Sequence, residues 1–391
     1  MFQGRWGVVA LLWLSYTLYQ ADKQIYSVVL PPLRADLRLS GYETGLVATL
    51  FTIVVALVSP LAGALGDRFP KSTILTAAIA LWSLGTLGAG FAGGFVSLVL
   101  LRAILTGGGE AFYPPIAHAL LAGHHTTRRA FAISIHQTAQ YFGPIASGFA
   151  AGWIAECYGW RIGFVWFGAL GLALSALFSW RLRDAAGMPL ERRGLVTGFR
   201  HSLAIPAVRR IGYSFAAVLF VTLGYQTFAP TLFGRQFGLS LSEAGFYTAL
   251  AGNGAAMLGA LAGGALSDAA ARRGVSRFVP QAASLALATP LLVVLGQAEQ
   301  LYLALGALAG IGFFRGIYEG TIAVALYDFV RPEHRSSAAS LVLLIANLLA
   351  APSSALLGWI SDRAPLGNAI SAMSLSFLLA AFILFRSRRL A

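Results

Sequence analysis

Charge is scarce in this chain. Asp, Glu, Lys and Arg make up 11% of its 391 residues, against the quarter usual for a soluble domain. Cysteine is almost absent: Cys157 stands alone, which excludes an intramolecular disulfide and any multi-cysteine metal site. The six histidines fall in no ligand spacing, so no metal is expected. Missing too is a phosphate-cradling Gly-x-x-x-x-Gly-Lys, and no polar stretch is long enough to build a nucleotide-hydrolysing domain. An enzyme is therefore not expected and no cofactor is implied. Work done by such a chain draws on an ion or substrate gradient.

What the chain has in abundance is apolar sequence. Apolar residues make up 57%, and windows long enough to cross a bilayer (about 18 residues or more) recur along the whole length. Twelve are counted, at approximately 7–32, 41–66, 73–93, 95–122, 130–155, 160–181, 208–233, 242–266, 277–297, 299–326, 336–360 and 366–385. The first follows a short basic start, as a signal peptide would, but runs too long and lacks a small-residue cleavage site, so it reads as retained. The expected class is an all-α, multi-pass protein of the plasma (cell inner) membrane.

The basic residues set an orientation. With the N-terminus in the cytoplasm, 20 of the 28 Lys and Arg fall on the cytoplasmic side, from Arg5, Arg68 and Lys71 to the tail Arg386–Arg389. Opposite loops hold only Arg34, Arg38, Arg161, Arg235 and Arg363. This is a strong positive-inside asymmetry with both termini cytoplasmic. It accounts for the +13 net charge through topology and anionic lipid headgroups, without a nucleic-acid partner.

The longest loop, about Leu182 to Pro206, divides the twelve segments six and six, predicting a bundle over 1–183, a cytoplasmic linker over 184–206 and a second bundle over 207–391. The halves echo each other. Gly63-Ala-Leu-Gly-Asp67-Arg68-Phe-Pro-Lys71 matches Gly264-Ala-Leu-Ser-Asp268, followed by Arg272 and Arg273, at a shift of 201 positions. Arg129 matches Arg335, and Gly152-Trp153-Ile154 matches Gly358-Trp359-Ile360, both at 206. Internal repetition is what secondary transporters show, with the binding site near the midplane at the repeat interface.

Twelve segments as six plus six, the central loop and the GALGDRFPK stretch resemble the major facilitator superfamily, whose G-x-L-x-D-R-x-x-[RK] signature joins the second and third helices. The first copy matches fully; after Asp268 the second is degraded. The resemblance covers essentially the whole chain and implies two pseudo-symmetric six-helix halves around a central cavity lined by segments 1, 4, 7 and 10. Physically the signature loop suits a latch: Gly63, Asp67, Arg68, Lys71 and their counterpart Asp268 form an expected gating motif, with Arg68 and Lys71 free to pair with the other half or with lipid phosphate.

Six charges fall inside spans: Asp22 and Lys23 on segment 1, Arg102 and Glu110 on segment 4, Arg315 and Glu319 on segment 10. A charge near the centre of a span costs about 2.5–3.5 kcal/mol on insertion scales, so each demands a reason. The bland reason is three structural ion pairs bracing the bundle. Arg102 and Glu110 are eight residues apart, roughly 12 Å along a helix axis and about 80° around it, and so can face one cavity. Between them Gly107–Gly109 lets a helix or ligand approach the backbone, and Pro114-Pro115 should break the segment below Glu110. Arginine's planar fork suits a carboxylate or phosphate, so Arg102 and Arg315 can clamp an anion. Desolvation favours a neutral carboxyl, so Asp22 or Glu110 can carry a proton. Glu319 lies one turn from Arg315, at pairing distance. The six charges sum to zero, and adding one anion with one proton preserves that sum.

Asp22-Lys23 with Arg102 and Glu110 resembles the anion:cation symporter branch of the superfamily, which holds sugar-acid, sialic-acid and vesicular glutamate transporters. The resemblance implies Asp22 and Glu110 as proton carriers, joined here by Glu319, with Lys23 and Arg102 meeting the substrate. Lysine stands at 23 where that branch usually has arginine, and the Arg-to-Glu spacing is eight rather than about seven. The Gly-Gly-Gly-Glu-Ala stretch also resembles spinster-type lipid transporters. Tyr16, Tyr19, Gln20, His136, Gln137, Gln140, Tyr225, Gln226, Asn253 and Asn347 are polar groups in spans, each suited to interhelical hydrogen bonding or to the pocket. Of these Tyr19, Gln137, Tyr225, Gln226 and Asn347 join Lys23, Arg102 and Arg315 as expected substrate contacts. The expected activity is proton-coupled uptake of a small organic anion, a carboxylate or sugar acid, by a monomer. The alternative is a proton-driven exporter of drugs or amphiphilic lipids; three buried cations argue against a cationic-drug site.

Overall fold

The computed structural model describes residues 5–66, 69–124, 128–181, 195–331 and 334–388. Asp67 and Arg68 of the signature loop, and most of the expected linker, lie outside these described residues. All regular structure among the described residues is helical. In hydrocarbon a helix is the way for an apolar segment to satisfy its own backbone N–H and C=O groups.

Among the described residues, ten helices are long and apolar enough to cross a membrane. Two further long helices, Arg5–Val28 and Arg129–Tyr158, are not among the ten because polar side chains interrupt them. The first carries Tyr16, Tyr19, Gln20, Asp22 and Lys23, and the second His136, Gln137 and Gln140. The outward surface is strongly apolar: Leu57, Phe91, Trp180, Leu261 and Tyr302 are each more than half exposed. Scattered apolar residues are ordinary on a protein in water, but a belt of this kind suits lipid.

The chain folds into two compact units. One comprises Met1–Leu39, Leu50–Arg193 and Leu241–Phe246; the other comprises Ser40–Thr49, Gly194–Ser240 and Tyr247–Ala391. In the first, helix Arg5–Val28 packs along Arg129–Tyr158, and Lys71–Ala89 along Trp160–Arg181. Its core is aromatic as well as aliphatic, with Trp82, Tyr113 and Phe178 fully buried among Leu11, Leu12, Ile79 and Leu120. In the second, helix Leu301–Tyr327 packs against both Ala255–Arg272 and Phe278–Gln297. Backbones meet there without side chains between them. A Cβ added at Gly259 would stand 1.9 Å from the Phe313 carbonyl oxygen, and one at Gly316 2.1 Å from that of Ala256.

Each unit also holds a carboxylate that caps a helix start. In the first, Glu156 accepts hydrogen bonds from the Ser242 N–H at 2.8 Å and from its hydroxyl at 2.9 Å. In the second, Asp362 accepts from the N–H groups of Gly41 and Tyr42 at 2.8 and 3.0 Å. Orphan N–H groups and the positive end of the helix dipole favour a carboxylate at such positions. Glu156 and Asp362 are themselves 206 positions apart, the shift already seen at Arg129/Arg335.

Candidate functional site

The fourth apolar segment is not one regular helix. It opens as Phe95–Leu98, runs as a π-helix over Val99–Thr106, returns to α over Gly107–Glu110, turns at Ala111-Phe112 and resumes as Tyr113–His124. The turn comes just before the Pro114-Pro115 pair, whose rings set the first turn of the new helix. π segments re-aim the side chains they carry and recur at functional sites. Here the segment carries Arg102.

Two consecutive residues of helix Arg5–Val28 meet the two charges of this segment. The Asp22 carboxylate pairs with an Arg102 guanidinium nitrogen. The other terminal nitrogen of Arg102 donates to the Asp22 backbone oxygen at 2.8 Å, and the Thr86 hydroxyl donates to Asp22 Oδ1 at 2.7 Å. Both side chains are buried. Arg102 also lies over the Phe51 ring, 5.0 Å from its centroid.

Glu110 is placed differently. It is fully buried, yet among the described residues neither carboxylate oxygen has a hydrogen-bond donor. Its ion-pair partner is Lys23, whose Nζ lies 3.8 Å from Oε2, and whose side chain is 38% exposed. Lys23 donates instead to the Tyr19 hydroxyl at 2.8 Å. One end of the ammonium thus faces open space and the other faces a carboxylate it does not quite reach.

Around this pair stands a wall of rings. Tyr19 stacks on Tyr113 at 5.5 Å, Tyr16 on Tyr113 at 5.6 Å and Tyr16 on His136 at 4.6 Å. Trp82 meets Tyr19 and Tyr113 edge-on. The Tyr113 hydroxyl donates to the Leu12 carbonyl at 2.5 Å and lies 3.1 Å from His136 Nε2. Gln137, half-buried, follows on the same helix as His136.

The second unit has its own polar group. Arg315, buried, lies 3.9 Å from Glu319 one turn along. Its Nη2 donates to Asn253 at 3.4 Å, and Asn253 sits in a second π segment, Leu250–Gly254. Tyr225 is buried and Gln226 half-buried on helix Pro206–Phe237. Asn347 turns its amide back to the Leu343 carbonyl of its own helix at 2.9 Å. Of the expected gating residues, Gly63 lies in helix Gly41–Gly66, and Lys71 is buried at the start of Lys71–Ala89. Asp268 pairs with Arg277 at 3.1 Å, and the same Arg277 reaches Asp328 at 3.2 Å.

Residues 12–351 match the Major Facilitator Superfamily. The chain belongs to that superfamily. It is accordingly a multi-pass membrane transporter of a small molecule and not an enzyme. Among members of this superfamily, it is 29% identical to an MFS-type efflux pump of Mycolicibacterium smegmatis, over 91% of this chain and 84% of that protein. It is 25% identical to a hexuronate transporter of Bacillus subtilis, over 91% of this chain and 88% of that one. In fold it resembles a bacterial homologue of the human lysosomal transporter spinster, solved in an inward-facing and occupied conformation. There the TM-score is 0.86 at 20% identity, with 98% of this chain and 97% of that one covered.

Three members of the first-unit cluster carry little or no signal in the sequence. Thr86 and Trp82 sit in an ordinary hydrophobic run, and their place beside Asp22 and Tyr19 follows from helix packing alone. Tyr113 is signalled only by its position before Pro114-Pro115.

Proposed function

We propose that this superfamily member couples the entry of a proton to the uptake of a small organic anion, a carboxylate or sugar acid. It does so by alternating access between two six-helix halves, residues 1–183 and 207–391, joined by the 184–206 linker. The observation that supports this most is the unequal partnering of the two buried carboxylates. Asp22 is held by Arg102 and Thr86, whereas among the described residues Glu110 has no hydrogen-bond donor and its ion-pair partner is the Lys23 ammonium at 3.8 Å. A charged carboxylate in that position is costly, and a proton on Glu110 removes the cost. It also leaves the Lys23 ammonium without its counter-charge and partly exposed. A substrate carboxylate can then take the place that Glu110 vacates electrostatically. Proton and anion so favour each other's binding, which is what symport requires.

In this reading Glu110 carries the proton and Lys23 meets the anion, with Tyr19 and Gln137 beside it. Asp22 and Arg102 hold segments 1 and 4 in register. Arg315, Glu319, Tyr225, Gln226 and Asn347 supply the polar groups of the second half, and the signature residues Gly63, Asp67, Arg68 and Lys71 act with Asp268 in gating. The protein is a monomer in the plasma (cell inner) membrane, with all twelve segments spanning and both termini cytoplasmic. A second reading, proton-driven export of drugs or amphiphilic lipids, draws on the ring wall of Tyr16, Tyr19, Trp82 and Tyr113, which suits an amphiphile's apolar part.

The test is luminal pH in proteoliposomes holding a trapped dye, on adding hexuronates and other organic anions to wild type, Glu110→Gln and Lys23→Ala. The expected outcome is acidification driven by one anion class and lost in Glu110→Gln. In Lys23→Ala the rate falls at least ~10-fold, the factor that corresponds to losing a charged hydrogen bond worth about 1.5 kcal/mol. Proton movement with amphiphilic cations or lysolipids alone would establish the export reading. Anion counterflow with no proton movement would make Glu110 structural.

A further inference from the structure

A second concentration of cations lies far from segments 1 and 4 in sequence, where helix Pro206–Phe237 begins and helix Ser374–Ser387 ends. These helices pack on each other. Between them is a cavity of about 620 Å³ lined by Arg210, Arg386, Arg388, Tyr213, Phe382 and Phe385, a size that takes a small polar ligand. Among the described residues, no carboxylate pairs with any of the three arginines. Their neighbour Arg209 does not line the cavity and donates instead to the Leu203 carbonyl at 2.7 Å. Arg386 and Arg388 are held over Phe382 and Phe385, with the guanidinium carbons 5.6 and 3.6 Å from the ring centroids. The forks are therefore held by ring contacts and, among the described residues, meet no carboxylate. Arg210 adds its charge just past the first turn of helix Pro206–Phe237.

The apolar surface below the arginines points to the kind of anion. On helix Ser374–Ser387 the exposed side chains Leu375, Leu378, Leu379, Phe382 and Phe385 recur at helical spacing and form one stripe. From Leu375 to Phe385 the stripe runs about 15 Å at helical rise, roughly one leaflet's hydrocarbon depth. It ends at Arg386. A free phosphate would use the arginines and leave the stripe unexplained. A phospholipid uses both.

We propose that this cavity binds the phosphate headgroup of an anionic phospholipid, with an acyl chain lying along the Leu375–Phe385 stripe. The three guanidiniums then receive a counter-charge that the described residues do not supply, and the lipid clasps the first and last helices of the second half together.

The experiment is thermal unfolding of the purified full chain in neutral detergent with added phosphatidylglycerol, cardiolipin, phosphatidylcholine or inorganic phosphate. Wild type is compared with the Arg210→Gln/Arg386→Gln/Arg388→Gln triple variant and with Arg209→Gln. Phosphatidylglycerol and cardiolipin should raise the wild-type midpoint by a few degrees, growing with concentration as a binding equilibrium demands. Phosphatidylcholine and phosphate should not. Arg209→Gln should respond as wild type does, and the triple variant should lose the response. Should the triple variant not fold, the Arg386→Gln/Arg388→Gln pair, both exposed at the end of helix Ser374–Ser387, serves in its place. An undiminished response in the variant, or an equal shift with inorganic phosphate, overturns the lipid site.

Discussion

Asp22 and Lys23 are neighbours in the chain with opposite surroundings, and the difference predicts opposite mutant behaviour. Asp22 neutralises a buried arginine and accepts a hydroxyl. Asp22→Asn leaves Arg102 buried without a counter-charge, and losing one partner of a buried pair costs about 3–5 kcal/mol. We expect a lower unfolding midpoint and poor yield in detergent. Among the described residues Glu110 has no hydrogen-bond donor to lose, so Glu110→Gln should unfold within a degree or two of wild type while abolishing proton coupling. Thermal unfolding of the two purified variants side by side checks this. Equal destabilisation would mean that Glu110 braces the bundle as Asp22 does. That three cations and three anions sit inside the spans was legible from hydropathy, because a charge stands out against an apolar run. Which cation meets which anion was legible only for Arg315 and Glu319, one turn apart on a single helix. Consecutive residues on a helix point about 100° apart, and only packing decides that Asp22 faces Arg102 while Lys23 faces Glu110.

At the level of the element, the triple glycine does two separable things. A Cβ at Gly109 would lie 2.6 Å from the Trp82 backbone nitrogen, and one at Gly107 3.2 Å from the Phe51 ring, while Gly108 has open space. Gly109→Ala therefore has to push helix Lys71–Ala89 away, at a cost of about 1–3 kcal/mol, and shifts Trp82 and Thr86 that line the charge cluster. Gly108→Ala should be neutral or slightly stabilising, since alanine lowers the unfolded chain's entropy. Transport rate and unfolding midpoint should both fall for the first and hold for the second. The sequence shows that some backbone approaches closely here but not that position 109 is the contact. It also hides the π-helix around Arg102, because one extra residue per turn leaves no mark on an apolar pattern. A break between Glu110 and the Pro114-Pro115 pair was readable, since proline lacks the N–H that a continuing helix needs; it falls at Ala111-Phe112.

For the molecule as a whole, the repeat was legible wherever it rested on Gly, Asp, Arg and Trp landmarks, and the structure adds the pair Glu156 and Asp362 at the same 206-residue shift. Helices Arg5–Val28 and Arg129–Tyr158 have a lower apolar average than the ten candidate spans because they carry polar side chains such as Asp22, Lys23, His136 and Gln137. Orientation rests on the distribution of arginine, and the single cysteine offers a direct check. Cys157 is exposed at the end of helix Arg129–Tyr158, in the loop that positive-inside counting puts outside the cell. A membrane-impermeant maleimide should label wild type in intact cells without permeabilisation. In a Cys157→Ser/Val275→Cys variant the only thiol moves to an exposed position between helices Ala255–Arg272 and Phe278–Gln297, on the expected cytoplasmic side. That variant should label only in inverted vesicles or after permeabilisation. The opposite pattern in both proteins would invert the topology and place the arginine cavity at Arg210, Arg386 and Arg388 against the outer leaflet. Labelling of both from one side would break the alternation of segments between positions 157 and 275, and with it the proposed six-plus-six arrangement.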